Sequence, residues 1–236
     1  QLCKTFSIAF SVDSLHLDCP TGDFTKVPAM SEIEFVNTFV FGMETVKEGI
    51  DVLCLGEMGI GNTTSASTLA CALMNENAEL LVGRGTGVDD EGIVRKQKAV
   101  KQALELHGLN KPSSDIDILE CLRCVGGFEI VGLVGAYIAC AQAGIVVLVD
   151  GFISSVAALV AVRINPSIRP WLFFSHQSAE AGHALVLSAL DAEPLLALNM
   201  RLGEASGAAM AVPIMQMACR LHANMATFDS AGVSES

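Results

Sequence analysis

Basic charge is scarce in this chain: 14 lysines and arginines stand against 26 aspartates and glutamates, a net charge of −12 over 236 residues. A surface this poor in cations argues against nucleic acid and anionic membranes as partners, because both need a basic face. A phosphate ligand would have to be held by local geometry, not by the global field. Internal repeats and low-complexity linkers are also missing. Half of the residues are hydrophobic, so the chain can bury a substantial core in one large domain. Cys121-Leu122-Arg123-Cys124 has no second pair and no His-x3-His near it, which argues against a zinc site. Cys54, Cys71 and Cys140 lie inside apolar segments and read as small core residues in a reducing compartment. The first residue is Gln1 and no charged region leads into an apolar one, so no signal peptide is read and a fragment is expected.

What is present is an alternation of strand and helix signals. Residues 7–12 read as a strand, and 18–29, with Pro20, Gly22 and Pro28, as a loop. Ser31 with Glu34 three residues later is a capping box that opens a helix over 32–47. A strand over 51–55, a helix over 64–74 and a glycine-rich loop over 83–90 follow, then a polar helix over 91–107. The loop 111–117 opens a helix holding Cys121 and Arg123, which Gly126-Gly127 breaks. Residues 130–149 carry no charge and could span a bilayer. Ala143-Gly144-Ile145 interrupts that run, however, and its β-branched end stops at Asp150. The pattern predicts a buried helix over 128–142 and a buried parallel strand over 145–149. Beyond them come a helix over 152–163, a strand over 171–174, a helix over 179–190, a short strand or turn over 195–198 and an apolar helix over 207–224. The loops at the strands' carboxyl ends carry nearly all the glycine, acidic and histidine residues, where open α/β sheets bind ligands.

The most informative of these loops is Leu55-Gly56-Glu57-Met58-Gly59-Ile60-Gly61-Asn62-Thr63-Thr64-Ser65. A glycine-rich turn between strand and helix leaves backbone N–H groups unpaired and unobstructed, ready for a phosphate. Glu57 would repel a phosphate and suits a hydroxyl or a cationic ring. The spacing Gly56-x4-Gly61-Asn62-Thr63 matches a nucleoside-triphosphate loop except that Asn62 replaces the lysine such a loop requires, which argues against an NTPase. A tight turn capping a helix at Asn62 or Thr63 explains the same residues without a ligand.

Further motifs follow in order: Gly83-Arg84-Gly85-Thr86-Gly87-Val88-Asp89-Asp90-Glu91-Gly92 with Arg95-Lys96, Arg123-Cys124-Val125-Gly126-Gly127-Phe128-Glu129-Ile130, and Val149-Asp150-Gly151-Phe152. Ser178-Ala179-Glu180-Ala181-Gly182-His183 and Met200-Arg201-Leu202-Gly203-Glu204-Ala205-Ser206-Gly207-Ala208 complete the set. Together they resemble the nicotinate-nucleotide:5,6-dimethylbenzimidazole phosphoribosyltransferase family over nearly the whole chain, with Ala181 where that family's motif has proline. The resemblance implies an α/β fold: a Rossmann-like, mainly parallel sheet flanked by helices, with part of a smaller helical subdomain. Residues 1–236 would form a single α/β domain lacking an amino-terminal segment of the family. It implies a cytoplasmic homodimer that uses no metal or organic cofactor and moves phosphoribose from nicotinate mononucleotide to a benzimidazole in cobalamin lower-ligand assembly. Glu204 would be the catalytic base. Glu57, Gly59, Gly61, Asn62, Thr63, Lys96, Ser178, Leu202 and Gly203 would bind substrate.

That chemistry asks little of the protein's acids and bases. A pyridinium nitrogen leaves as a neutral ring and needs no proton, while the acceptor ring must lose one, so a single carboxylate suffices. No charge develops that a Mg²⁺ would neutralise, unlike a pyrophosphate leaving group. Bland readings stand beside these roles. Glu204 could be an acid favoured by a helix dipole, Lys96 a solvated lysine, Asp89 and Asp90 helix caps, and Asp150 either a ligand-facing residue or the anchor of a loop. His176 and His183 flank Ser178, but no Gly-x-Ser-x-Gly elbow surrounds it, so a hydrolase triad is not expected and His183 caps or packs. The alternative function is a noncatalytic nucleotide-binding protein of the same fold.

Overall fold

The computed structural model describes residues 1–85, 87–227 and 230–232. Thr86, in the expected loop over 83–90, lies outside the described residues. Helices are α1 (Leu2–Phe6), α2 (Glu32–Glu44), α3 (Asn62–Met74), α4 (Ala78–Leu81), α5 (Asp90–Leu106), α6 (Ile118–Val125), α7 (Phe128–Ala143), α8 (Phe152–Ile164), α9 (His183–Ala189) and α10 (Ser206–Asn224). Strands are β1 (Val52–Leu55), β2 (Val146–Val149) and β3 (Leu172–Phe174). They form a parallel sheet in the order β1-β2-β3, with Leu55 opposite Val149 and Val149 opposite Phe174. This register aligns the three carboxyl ends, so the turns starting at Gly56, Asp150 and Ser175 emerge along one rim.

The two-residue period of the strands sorts side chains into two apolar layers. Val147, Val149, Leu172 and Phe174 point into the main core with residues of α3, α7 and α8. Leu148 points the other way, where Val52, Cys54 and Leu196 join Ala208 and Ala211 of α10. Helices therefore cover both faces of β2, which explains why that strand reads as an unbroken apolar run. The uncharged stretch 130–149 resolves into α7 and β2, turned by Gly144 in the left-handed conformation (φ 71°). Among the described residues no helix is long and apolar enough to cross a membrane.

Glycine in that stretch serves close helix packing. A methyl on Gly135 of α7 would sit 2.2 Å from Phe39 O of α2, and one on Gly42 of α2 would sit 2.0 Å from Gly132 O. The Ser31–Glu34 capping box is formed as the spacing predicts. Asp89 accepts the Gly92 N–H as the cap of α5, and Asp90 begins that helix and pairs with Arg84. Cys71 and Cys140 are core residues whose thiols burial pushes up to about 12. Cys121 and Cys124 are also buried, and Cys124 Sγ donates to Glu120 Oε1 at 3.3 Å.

Several expected elements are corrected. Residues 7–12 are not a strand: Ser7 ends α1 in the left-handed conformation (φ 54°), and Phe10 and Val12 stay exposed, with no strand among the described residues paired to them. The helix expected over 179–190 starts only at His183, because its ring accepts the Ser178 N–H and Gly182 packs against Leu81, holding 178–182 as a loop. The helix expected over 32–47 stops at Glu44, and α4 carries no signal strong enough to have announced it. Residues 195–198, expected as a short strand or turn, make one parallel bridge, Leu196 to His176.

Gly42→Ala should cost about 1–3 kcal/mol of stability, the usual range for overpacking, because its methyl meets backbone that cannot swing aside. Urea unfolding checks this, and an unchanged midpoint would show that α2 and α7 slide apart without cost.

Candidate active site

The rim formed by the carboxyl ends of the strands brings together three of the sequence motifs. Gly61 ends the first turn with φ 85° and caps α3, leaving Asn62 as the first helical residue. The cap expected at Asn62 or Thr63 is therefore corrected. Only glycine takes that backbone angle freely, and no cap hydrogen bond from a side chain forms there. The Asn62 side chain, released from capping, turns to Glu57, and its amide donates to Glu57 Oε2. Glu129, in the first turn of α7, lies against the same group. A methyl on Gly59 would meet Glu129 Oε1 at 2.9 Å and Asn62 Nδ2 at 3.0 Å.

Acidic groups thus crowd a partly dehydrated space. Burial pushes the Glu57 carboxyl up to about 7; the Asn62 amide opposes the rise, and the charges of Glu129, Asp150 and Glu204 add to it. Glu129 is raised for the same leading reason, with Asn62 again opposing. A carboxyl poised near neutrality can hold or release a proton at working pH. Glu129 is the residue that sequence reasoning left without a role. Its signal was its place as the one acid on an otherwise uncharged helix, directly after Gly126-Gly127.

The Arg-Leu-Gly-Glu motif meets the glycine turn backbone to backbone. A methyl on Gly56 would come within 2.0 Å of Ala205 N and 2.5 Å of Glu204 C, and one on Gly203 would lie 3.7 Å from Glu57 Oε1. Glu204 and Ala205 both take left-handed angles (φ 59° and 56°), and Glu204 itself is exposed. Leu202 is exposed as well.

A second group sits beside the first on the same helix start. Lys96 Nζ, brought by α5, donates to Thr63 Oγ1 at 3.1 Å and to Gly83 O at 3.4 Å. Partial burial holds this lysine below its usual range, with Glu180 pulling the other way. It is no freely solvated side chain. Ser178 is buried, and its hydroxyl lies 2.8 Å from His183 Nδ1. That nitrogen also accepts the Ser178 N–H at 2.8 Å, so the ring proton sits on Nε2, which faces Ser155 Oγ at 2.9 Å. Burial drives His183 down to about 4, helped by His176 and opposed by Asp150. A neutral, fully buried imidazole held at both nitrogens packs and positions. Asp150 holds the start of α10: its Oδ1 accepts the Ala208 N–H at 3.0 Å. A concavity of about 560 Å³ lined by Pro213, Met217 and Leu221 lies along α10 and contains none of these groups.

Fold and rim together define an α/β protein whose glycine-rich turns gather at the carboxyl ends of a parallel sheet, where open α/β sheets bind ligands. A sequence profile described as Phosphoribosyltransferase matches residues 3–233, and the chain belongs to that family. It is 52% identical over 228 residues to the nicotinate-nucleotide–dimethylbenzimidazole phosphoribosyltransferase of Pseudomonas putida F1, covering 95% of this chain and 64% of that protein. The protein of the same name from Azotobacter vinelandii is 53% identical over 224 residues, covering 93% and 62%. The crystal structure of CobT from Thermus thermophilus superposes with a TM-score of 0.84 at 40% identity, over 92% of this chain and 65% of that one. The chain therefore spans a little under two thirds of these relatives.

The raised Glu57 carboxyl makes stability depend on pH with a definite sign. The folded state binds this proton more tightly than the unfolded chain, whose value is the ordinary 4.5. The contribution is thus complete below about pH 4.5 and is lost as pH rises through about 7. Thermal melts should show Tm falling over that window. In Glu57→Gln the slope should shrink and Tm at pH 8 should exceed that of the unaltered protein. An equal slope in both proteins would place the buried proton elsewhere.

Proposed function

We propose that this chain transfers phosphoribose from nicotinate mononucleotide to 5,6-dimethylbenzimidazole, releasing nicotinate and forming α-ribazole 5′-phosphate for the lower ligand of cobalamin. The observation that carries this reading is the contact of Gly56 with Glu204 and Ala205, which sets a candidate base and a phosphate-type turn on one crevice. The names of the relatives support the choice of substrates.

In the reaction the N-glycosidic bond of the nucleotide breaks and its electron pair leaves with the pyridine nitrogen of nicotinate. One benzimidazole nitrogen forms the new bond to the anomeric carbon from the opposite face, inverting β to α. Its other nitrogen gives a proton to Glu204. Atoms and charge balance with one carboxylate. Lys96 with the start of α3 at Thr63 offers the phosphate a cation and N–H donors. Glu57, whose protonation changes near neutrality, suits a ribose hydroxyl and the positive charge that grows on the sugar ring. Gly59, Gly61, Asn62, Ser178, Leu202 and Gly203 complete the substrate-binding set of this reading. Residues 1–236 act in it as one α/β domain of a longer family pattern. A homodimer in the cytoplasm belongs to the same reading, where eight free thiols stay reduced.

Mixing the purified chain with nicotinate mononucleotide and the benzimidazole tests the proposal by chromatography of free nicotinate. Release supports transfer; binding of the nucleotide without release supports a noncatalytic nucleotide-binding protein. Glu204→Gln should slow release by roughly 10²–10⁴-fold, as loss of a general base does, and near-normal turnover in a folded variant would remove Glu204 from that role. Lys96→Ala should weaken nicotinate mononucleotide binding in calorimetry more than benzimidazole binding, whereas equal losses would contradict the phosphate assignment.

A further inference from the structure

We infer that Asp150 is a positioning residue for Glu204: from the end of the central strand it caps α10 and so fixes the turn in which Glu204 stands. The inference rests on the transfer reading of Glu204 above. The residue at the cap position of α10 is Ala205, which has no side-chain acceptor, and no cap hydrogen bond forms locally. The first turn of a helix presents N–H groups that need one. Asp150, 58 residues away in sequence, supplies it by accepting the Ala208 N–H at 3.0 Å.

Two features make this cap more than a surface contact. Asp150 is only 2% exposed, so its carboxylate is committed to that helix start, where the dipole favours negative charge. The His176 ring faces the same oxygen, with Nε2 at 3.7 Å, and lies so close to α10 that a methyl on Gly207 would be 2.0 Å from its Cδ2. The start of α10 is pinned between a carboxylate and an imidazole.

Just before it, Gly203, Glu204 and Ala205 all carry positive φ. Residues other than glycine keep such angles in succession only when their surroundings hold them there. One restraint is Gly56, abutting Glu204 and Ala205 from the side; the other is Asp150, whose bond falls three residues beyond Ala205. Removing the second lets the turn relax toward ordinary angles and redirects the Glu204 carboxylate, while the backbone of the glycine turn and Lys96 stay in place. The Asp150 charge that raises Glu57 is lost alike in Asp150→Ala and Asp150→Asn.

The test compares Asp150→Ala and Asp150→Asn with the unaltered chain. In Asp150→Ala, hydrogen exchange of the Ala208 amide should accelerate roughly tenfold, the size of a lost cap. The Cα chemical shifts of Glu204 and Ala205 should leave the left-handed range while amides of β2 keep their protection. Nicotinate release should fall roughly ten- to a hundredfold in kcat, as for a displaced catalytic group, with KM for the nucleotide nearly constant. Asp150→Asn, which keeps an acceptor oxygen and the side-chain shape, should recover most of both signals. Adding Asp150→Ala to Glu204→Gln should slow release little further. Unchanged Ala208 exchange and Glu204 shifts, or losses that multiply in the double variant, would overturn the inference. Should the unaltered chain release no nicotinate, the transfer reading fails, while exchange and shifts still decide whether Asp150 holds the turn.

Discussion

Backbone touches backbone where Gly56 meets Glu204 and Ala205, and the candidate site exists because of that contact. Any side chain at Gly56 would place a carbon 2.0 Å from Ala205 N and force the loop ahead of α10 away from the rim of the sheet. With it would go the approach of Gly203 to Glu57 and the alignment of α10 on Leu148. The glycine that reads in sequence as a phosphate-loop residue has a packing duty, which is to let a segment far along the chain close against the rim of the sheet.

The crevice then gathers acids, against ordinary electrostatic preference. Glu129, Asp150 and Glu204 all raise the cost of charge on Glu57. The arrangement offsets part of that cost with dipoles and donors. Asn62 donates to Glu57, Glu129 stands in the first turn of α7, and Asp150 accepts from the start of α10. What remains uncompensated shows as a Glu57 proton held near neutral pH. For the proposed transfer, in which positive charge grows on a sugar ring, surplus negative potential along this rim is useful.

Much of this was legible residue by residue. The Ser31–Glu34 box, the Asp89 cap and the division of 130–149 into helix and strand follow from local rules, because capping and periodicity act within one or two turns. The late start of α9 was not legible. It depends on Gly182 packing against Leu81, a contact made across the fold, which holds the loop where the His183 ring accepts the Ser178 N–H. The strand expected over 7–12 failed for a related reason: alternation of Ile8, Phe10 and Val12 makes a strand only where a neighbour offers hydrogen bonds. For the candidate site, the motifs pointed to Glu57, Lys96 and Glu204, and the fold sets Glu57 near Gly203 and Lys96 against Thr63. They left Asp150 open between two roles and Glu129 without one.

By itself the amino-acid order determined the alternating α/β plan, the glycine turn after the first strand and the chemical class of the groups available, since each is written in near neighbours or in ordered motifs. Only tertiary structure decided which of those groups meet. It brought Asn62 to Glu129, carried Lys96 from α5 to Thr63, and let Asp150 cap a helix whose own cap residue cannot. The reason is one of range. Capping and periodicity are set by residues a few positions apart, whereas a hydrogen bond across 58 residues forms only when a parallel sheet has lined up the ends of its strands.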